Sequence, residues 1–314
     1  MSSIGELRKI ALTSRGKAKT TGKMRYPDNK AGYLFLAPWI VGLVVFTVGP
    51  MIASLYLAFT DYNLLQPPVW TGLDNMVEMM GDARLWNSLR VTLTYVIVSV
   101  PLQLALALAV AMLLDRGMRG LAFYRSVFYL PSLLGGSVAI AILWREVFGK
   151  DGIVNSFLAI FGIEGPGWIS HPDYALWTII LLHVWTFGSP MVIFLAGLRQ
   201  IPEMYYEAAQ MDGAGKIRRF FSITFPLLTP IIFFNLVLQI IFAFQSFTQA
   251  YIVSGGTGGP SDSTMFFTLY LYKEAFTELN MGYASAMAWF LLLVIAAFTA
   301  LNFWLSRFWV FYDD

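Results

Sequence analysis

The sequence predicts an all-α polytopic membrane protein with six transmembrane helices. Three observations carry that expectation. Hydrophobic residues make up 57% of the 314 residues and charged residues only 13%, roughly half the charge of a soluble domain. Six apolar stretches are each long enough to cross a bilayer core, which takes about 20 helical residues. The loops between them alternate in charge, as orientation in a membrane requires.

The stretches lie near 34–58, 90–114, 126–147, 175–198, 229–251 and 284–306. A helix satisfies its own backbone hydrogen bonds, which lipid cannot do, so uninterrupted apolar runs of this length are read as helices. Barrel strands would alternate over shorter segments. The domain organisation is a basic tail, 1–30, followed by one six-helix membrane domain, 31–314. The tail carries Arg8, Lys9, Arg15, Lys17, Lys19, Lys23, Arg25 and Lys30 against Glu6 and Asp28. No short apolar stretch with a cleavage site precedes it, so the first span reads as a retained anchor.

Loop charges set the orientation. The basic tail is expected in the cytoplasm. Asp61, Asp74, Glu78 and Asp82, opposed by Arg84, turn the first loop outward, and Arg116, Arg119 and Arg125 turn the second inward. Lys150 is the only Lys or Arg between Glu146 and Asp173, which face out. Arg199, Lys216, Arg218 and Arg219 hold 199–228 inside. Asp262, Glu274 and Glu278 with Lys273 place 252–283 outside, and Arg307 closes the last span inside. Both termini are therefore expected in the cytoplasm. Pro38, Pro50, Pro101, Pro131 and Pro190 fall within spans. Each removes a backbone donor and can kink its helix, either as part of gating or as ordinary membrane-helix composition. No internal repeat is visible, so any symmetry would come from a second subunit.

Several functions are excluded or disfavoured by what the chain lacks. It has no cysteine and only two histidines, His171 and His183, so thiolate chemistry and a histidine metal cluster are not expected. The spans hold no mid-membrane carboxylate of the kind that binds a coupling ion in secondary transporters. His183 is the one titratable group clearly inside a span, as a proton relay or as a packed, hydrogen-bonded residue. The run Gly255-Gly256-Thr257-Gly258-Gly259-Pro260 lacks the Gly-Lys-Ser/Thr ending that grips phosphates and reads as a tight external turn. No nucleophile–base arrangement or paired carboxylates stand out. Neither a catalytic residue nor a cofactor bound by this chain is expected, nor a nucleic-acid partner. A self-powered carrier would need the missing carboxylate, and a lipid-modifying membrane enzyme would need a clustered site.

Between the fourth and fifth spans the chain reads Ile201-Pro202-Glu203-Met204-Tyr205-Tyr206-Glu207-Ala208-Ala209-Gln210-Met211-Asp212-Gly213-Ala214-Gly215-Lys216 and continues to Pro226. This predicts a short helix, a glycine break and a second helix. Pro202 suits the first turn and Glu203 the positive helix end. Gly213 can take the positive φ that ends a helix. Small Ala208 and Ala209 allow close approach, and Glu207 can pair with a basic partner. Such a helix could dock into a cytoplasmic protein. Alternatively it lies on headgroups, with Lys216, Arg218 and Arg219 touching phosphates.

Glu-Ala-Ala-x-x-Asp-Gly-Ala-x5-Phe-x2-Ile-Thr-x-Pro, read here at 207–226, resembles the EAA motif of binding-protein-dependent ABC importer permeases. Its core is Glu207, Ala208, Ala209, Asp212, Gly213 and Ala214. Phe123-Tyr124-Arg125 with Leu130-Pro131, Ile201-Pro202, and Gly258-Gly259-Pro260 are similar to the sugar permease branch, which includes the larger permease of the maltose importer. The likeness covers roughly 30–310. The chain lacks that subunit's extra N-terminal helices and large external domain, which makes it a compact six-helix form.

The resemblance implies a type I ABC importer permease in the bacterial cytoplasmic membrane. It implies a second, similar permease forming a heterodimer, two ABC ATPase subunits that use ATP and magnesium, and an extracytoplasmic solute-binding protein. The substrate would be a sugar or oligosaccharide. Glu207 would meet a basic ATPase residue, and the motif would act as a coupling helix. Phe244-Gln245-Ser246-Phe247 aligns with the stretch that contacts sugar in the maltose permease, with amides and a hydroxyl in place of a pair of asparagines. Candidate substrate-lining residues are Gln245, Ser246 and Gln249, the last one turn from Gln245 on the same helix face, with Trp185 and Ser189 beside the kink expected at Pro190. Alternatively Gln245, Ser246 and Gln249 bond neighbouring helices.

Overall fold

The computed structural model describes residues 29–117 and 120–311. The basic tail through residue 28, and Arg119, lie outside them. The chain divides into two compact units between Ala53 and Ser54.

The described residues of the first unit form α1 (Asn29–Leu43), a π turn at Val44–Val48, then α2 (Gly49–Leu57), whose last residues belong to the second unit. The Gly49 amide reaches back five residues to the Val44 carbonyl. Pro50 follows directly. Its ring crowds the carbonyl one turn back and it has no N–H, so the widened turn absorbs the misfit.

In the second unit a two-stranded hairpin, β1 (Thr60–Asp61) and β2 (Val69–Trp70), pairs Thr60 with Trp70 and Asp61 with Val69. Helix α3 (Asp74–Gly81) follows, then α4 (Ala83–Asp115). Asp82 caps α4, its carboxylate accepting from the amides of Arg84 at 2.9 Å and Leu85 at 3.1 Å. That cap starts the helix well before residue 90, where the apolar run alone would begin it, so Arg90 lies two turns inside. With 33 residues α4 is about 50 Å long, and its ends extend past a bilayer core. Buried Leu85, Ser88, Thr92, Val96, Ser99, Gln103, Ala107, Ala111 and Leu114 repeat at helical spacing along α4.

The third expected span is broken. Helices α5 (Leu121–Leu134) and α6 (Val138–Val147) bend by 95° across Gly135-Gly136-Ser137. Ser137 caps α6 by accepting from Ile140 N. Helix α7 (Ile153–Ile160) lies in the following loop. The fourth span consists of α8 (Pro172–Trp185) and α9 (Gly188–Leu198), bent by 41°. The break falls at Thr186–Phe187, one turn before the kink expected at Pro190. Proline has no N–H to offer the Thr186 carbonyl, so that carbonyl accepts instead from Ser132 Oγ at 2.8 Å and Gln103 Nε2 at 3.1 Å.

Helix α10 (Glu203–Met211) and the short α11 (Lys216–Arg219) precede a second π turn, Phe220–Thr224, and α12 (Phe225–Phe244). The Phe225 amide bonds the Phe220 carbonyl just ahead of Pro226, repeating the device seen ahead of Pro50. The helix Lys216–Phe244 is continuous, so the fifth span begins far before 229 and stops short of 251. Helix α13 (Thr248–Val253) is separate. The glycine-rich run is a turn, with positive φ at Gly255, Gly256 and Gly258. Helices α14 (Phe267–Phe276) and α15 (Met281–Ser306) complete the chain. Helix α4 is the hub of this unit: α5, α8, α9, α12 and α14 all pack on it, around buried Tyr95, Phe194, Phe244, Phe266 and Phe267.

Candidate functional site

At the end of the bundle where α4 finishes, α10 is held by one face. Tyr206 Oη and Thr224 Oγ1 lie 2.9 Å apart, which joins α10 to the π turn below α12. Met204, Glu207, Ala208 and Met211, spaced i, i+3, i+4 and i+7, share another face and are exposed, Met211 at 89%. Pro202 is the N-cap, one residue ahead of the first turn expected for it, and Glu203 opens the helix. Gly213 has φ +74°. Its amide bonds Gln210 O at 3.0 Å, and the Ala214 amide bonds Ala209 O at 2.9 Å. This double closure is a Schellman turn, which only a residue at ease with positive φ completes without strain. Asp212 is exposed beside it, and Ala209 and Ala214 are half-buried.

The polar residues proposed to line a pathway are separated by the structure. Helix α12 ends at Phe244, so Gln245 and Gln249 do not share a helix face, contrary to the expectation from a span reaching 251. Gln245 is exposed and faces a cavity of about 600 Å³ walled by α15, with Leu292, Ala296 and Thr299. Gln249 instead donates to the Gly135 carbonyl at 3.2 Å and accepts from Ser246 Oγ at 3.3 Å. Ser246 O also accepts from Thr268 Oγ1. Those two residues knit the break between α12 and α13 to its neighbours. Trp185 packs on Trp144 at 6.0 Å between ring centres, and the Ser189 amide donates to Ser132 Oγ at 2.9 Å. His183 packs edge-on against Tyr95, with centroids 5.4 Å apart.

At the opposite end, Asp82 accepts from Tyr270 Oη at 2.8 Å and Tyr283 Oη at 2.6 Å as well as from its two capped amides. Burial pushes its carboxyl up, but these four hydrogen bonds outweigh burial and hold the group below the usual carboxylate value of 3.8. Arg84 forks onto both oxygens of Asp262 at 3.0 Å. One cluster thus ties the start of α4 to α14, α15 and the glycine-rich turn. Among the described residues, no group of three or more His, Cys, Asp or Glu could hold a metal.

Three key residues escaped sequence reasoning. Gln103 is a lone amide in an apolar run, a signal that polar groups inside spans carry. Asp82 precedes such a run, as an N-cap does. Tyr206 gave no sign of its reach to Thr224.

With this geometry in view, residues 79–310 match the family described as the binding-protein-dependent transport system inner membrane component. The chain belongs to that family. This permease is 54% identical over 289 residues to the probable ABC transporter permease protein YesP of Bacillus subtilis (strain 168), covering 91% of this chain and 94% of that one. It is 33% identical to the lactose transport system permease protein LacF of Rhizobium radiobacter, over 95% of this chain and 99% of LacF. Its fold matches a crystal structure of a bacterial ABC transporter that imports alginate, with TM-score 0.71, 22% identity, and 88% and 95% of the two chains covered. The permease is a multi-pass protein of the bacterial cytoplasmic membrane and a transport subunit, not an enzyme.

Proposed function

We propose that this permease translocates a sugar or oligosaccharide by alternating access and receives its energy through α10. It pairs with a second, homologous permease. Two ATPase subunits that use ATP and magnesium dock on its cytoplasmic end, and an extracytoplasmic binding protein delivers the substrate. Both termini lie in the cytoplasm.

The observation that carries this reading is the division of α10 into two faces. One is tied to α12 through Tyr206 and Thr224. The other exposes Met204, Glu207, Ala208 and Met211, an apolar stripe with one carboxylate. Such a stripe suits a cleft on a protein with a basic rim. Headgroup contact would need cations on that face, and these four positions hold none. Asp212, Gly213 and Ala214 end the helix so that the chain can return to the membrane. Gln245 offers a hydroxyl-binding amide to a cavity without charged walls, as a neutral sugar requires. Ser246 and Gln249 fix the chain just after Gln245, and Trp185 and Ser189 pack the fourth span on the third. The lactose permease among the relatives supports the substrate class.

The test is reconstitution in liposomes with the neighbouring permease, ATPase and binding protein. Glu207→Lys should abolish ATP-dependent sugar uptake and binding-protein-stimulated ATP hydrolysis while leaving the permease folded, because Glu207 is exposed. Uptake that continues without any ATPase would sink the proposal.

A further inference from the structure

A second cleft, of about 600 Å³, opens between the end of α4 and the segment that carries α10 and α11. Arg116, Lys216 and Arg219 line it. None of the three forms an ion pair among the described residues. The one carboxylate in the wall, Asp115, is engaged by Arg199 at 3.5 Å. The cleft therefore carries an uncompensated positive charge.

Its deeper wall is apolar. Leu113 is 47% exposed there, with Met112 beside it and Phe220 opposite. Leu113 belongs to the last turn of a membrane span, and Arg116 follows directly at the helix C-cap. Apolar wall and cations are thus stacked in the order in which a bilayer stacks acyl chain and phosphate. A soluble anion would use only the cations and leave the apolar wall in water, at a cost proportional to its area.

We propose that this cleft is a binding site for an anionic phospholipid. The headgroup phosphate lies among Arg116, Lys216 and Arg219, and the upper acyl chain lies against Leu113 and Phe220. Tyr206 and Thr224, at the base of α10, also line the cleft, whereas the exposed Met204, Glu207, Ala208 and Met211 do not, so lipid binding is measured apart from ATPase docking.

The full-length permease, purified in neutral detergent, would be titrated with dioleoyl phosphatidylglycerol, dioleoyl phosphatidylcholine or inorganic phosphate. Bound lipid would be counted by native mass spectrometry. Phosphatidylglycerol should bind saturably, at least tenfold tighter than phosphatidylcholine, and millimolar phosphate should not displace it. Each basic side chain near a headgroup contributes about fivefold in affinity. Combining Arg116→Gln, Lys216→Gln and Arg219→Gln should therefore weaken phosphatidylglycerol by about a hundredfold. Arg116→Gln alone should cost about fivefold, which keeps the test open if the triple variant fails to fold. A control combining Arg125→Gln, Arg218→Gln and Arg307→Gln removes the same charge outside the cleft and should stay within twofold. Equal affinity for phosphatidylcholine, equal loss in the control, or displacement by phosphate alone would each overturn the assignment.

Discussion

Four hydrogen bonds converge on the Asp82 carboxylate, while Glu274 nearby is pulled the other way. Burial raises the Glu274 carboxyl above its ordinary value of 4.5, and repulsion from Glu278 and Asp82 adds to it. The two groups therefore act on stability with opposite signs. Asp82 has a lowered value in the folded state, so its contribution is complete above the unfolded value of 3.8. It is lost as pH falls through the lowered value. Glu274 has a raised folded value, so its contribution is present below 4.5 and is lost as pH rises through that raised value. At neutral pH it is a burden. Glu274→Gln keeps the shape and removes the charge. The variant should melt higher than the parent at pH 7, and the gain should vanish near pH 4. Thermal unfolding in detergent across that range checks the prediction, and a gain that grows toward acid would refute it. Little of this cluster was legible in the sequence, because Tyr270 and Tyr283 meet Asp82 only through long-range folding.

Helix breaks are the features that most distinguish this bundle from six plain rods. Sequence reading found the apolar runs, since hydropathy is local, and it named prolines as places to bend. Helices α1, α4 and α5 run through Pro38, Pro101 and Pro131 without a break, and the bend expected at Pro190 falls one turn earlier, on the carbonyl the proline fails to serve. Thus α8 ends before Pro190, and Gln103 and Ser132 serve the freed carbonyl of Thr186. Proline also explains why π turns precede Pro50 and Pro226. The sharp break between α5 and α6 falls instead at Gly135-Gly136-Ser137, where Ser137 is extended (φ −83°, ψ 149°) and caps α6, a place no periodicity argument singles out. Glycines also set how closely these elements approach. A Cβ on Gly188 would strike the Phe128 carbonyl and sit 2.7 Å from Tyr129 Cα, both backbone atoms. A Cβ on Gly197 would meet the tip of the Ile231 side chain, which can rotate away. Gly188→Ala should therefore destabilise the permease by about 2 kcal/mol or more, the usual range for overpacking, and Gly197→Ala by less than about 1 kcal/mol. Denaturant or thermal unfolding of the two variants side by side tests the order. Equal losses would show that backbone contact is not what holds α5 and α9 at their spacing.

Across the whole molecule, the continuous helix from Lys216 to Phe244 has 29 residues and spans about 43 Å. It begins beside α10 and ends next to Gln245, at the cavity. On the coupling proposed for α10, its displacement would reach the cavity along one continuous helix. Besides the short turn 212–215 of the chain itself, the Tyr206–Thr224 hydrogen bond joins α10 to the base of that helix, with Thr224 buried in the π turn. A neutral hydrogen bond of this kind contributes about 1 kcal/mol. Its loss would loosen the link without unfolding either helix. Tyr206→Phe keeps the ring and its packing and removes only the hydroxyl. In the reconstituted transporter this variant should bind the ATPase normally and still hydrolyse ATP, while sugar moved per ATP falls about fivefold. Glu207→Lys, on the opposite face, should instead lose ATPase binding itself. Co-purification of the ATPase, hydrolysis rate and uptake, measured on the same vesicles, separate the two effects. If Tyr206→Phe transports as efficiently as the parent, motion does not pass through this bond, and the covalent turn 212–215 into the long helix would be the remaining route.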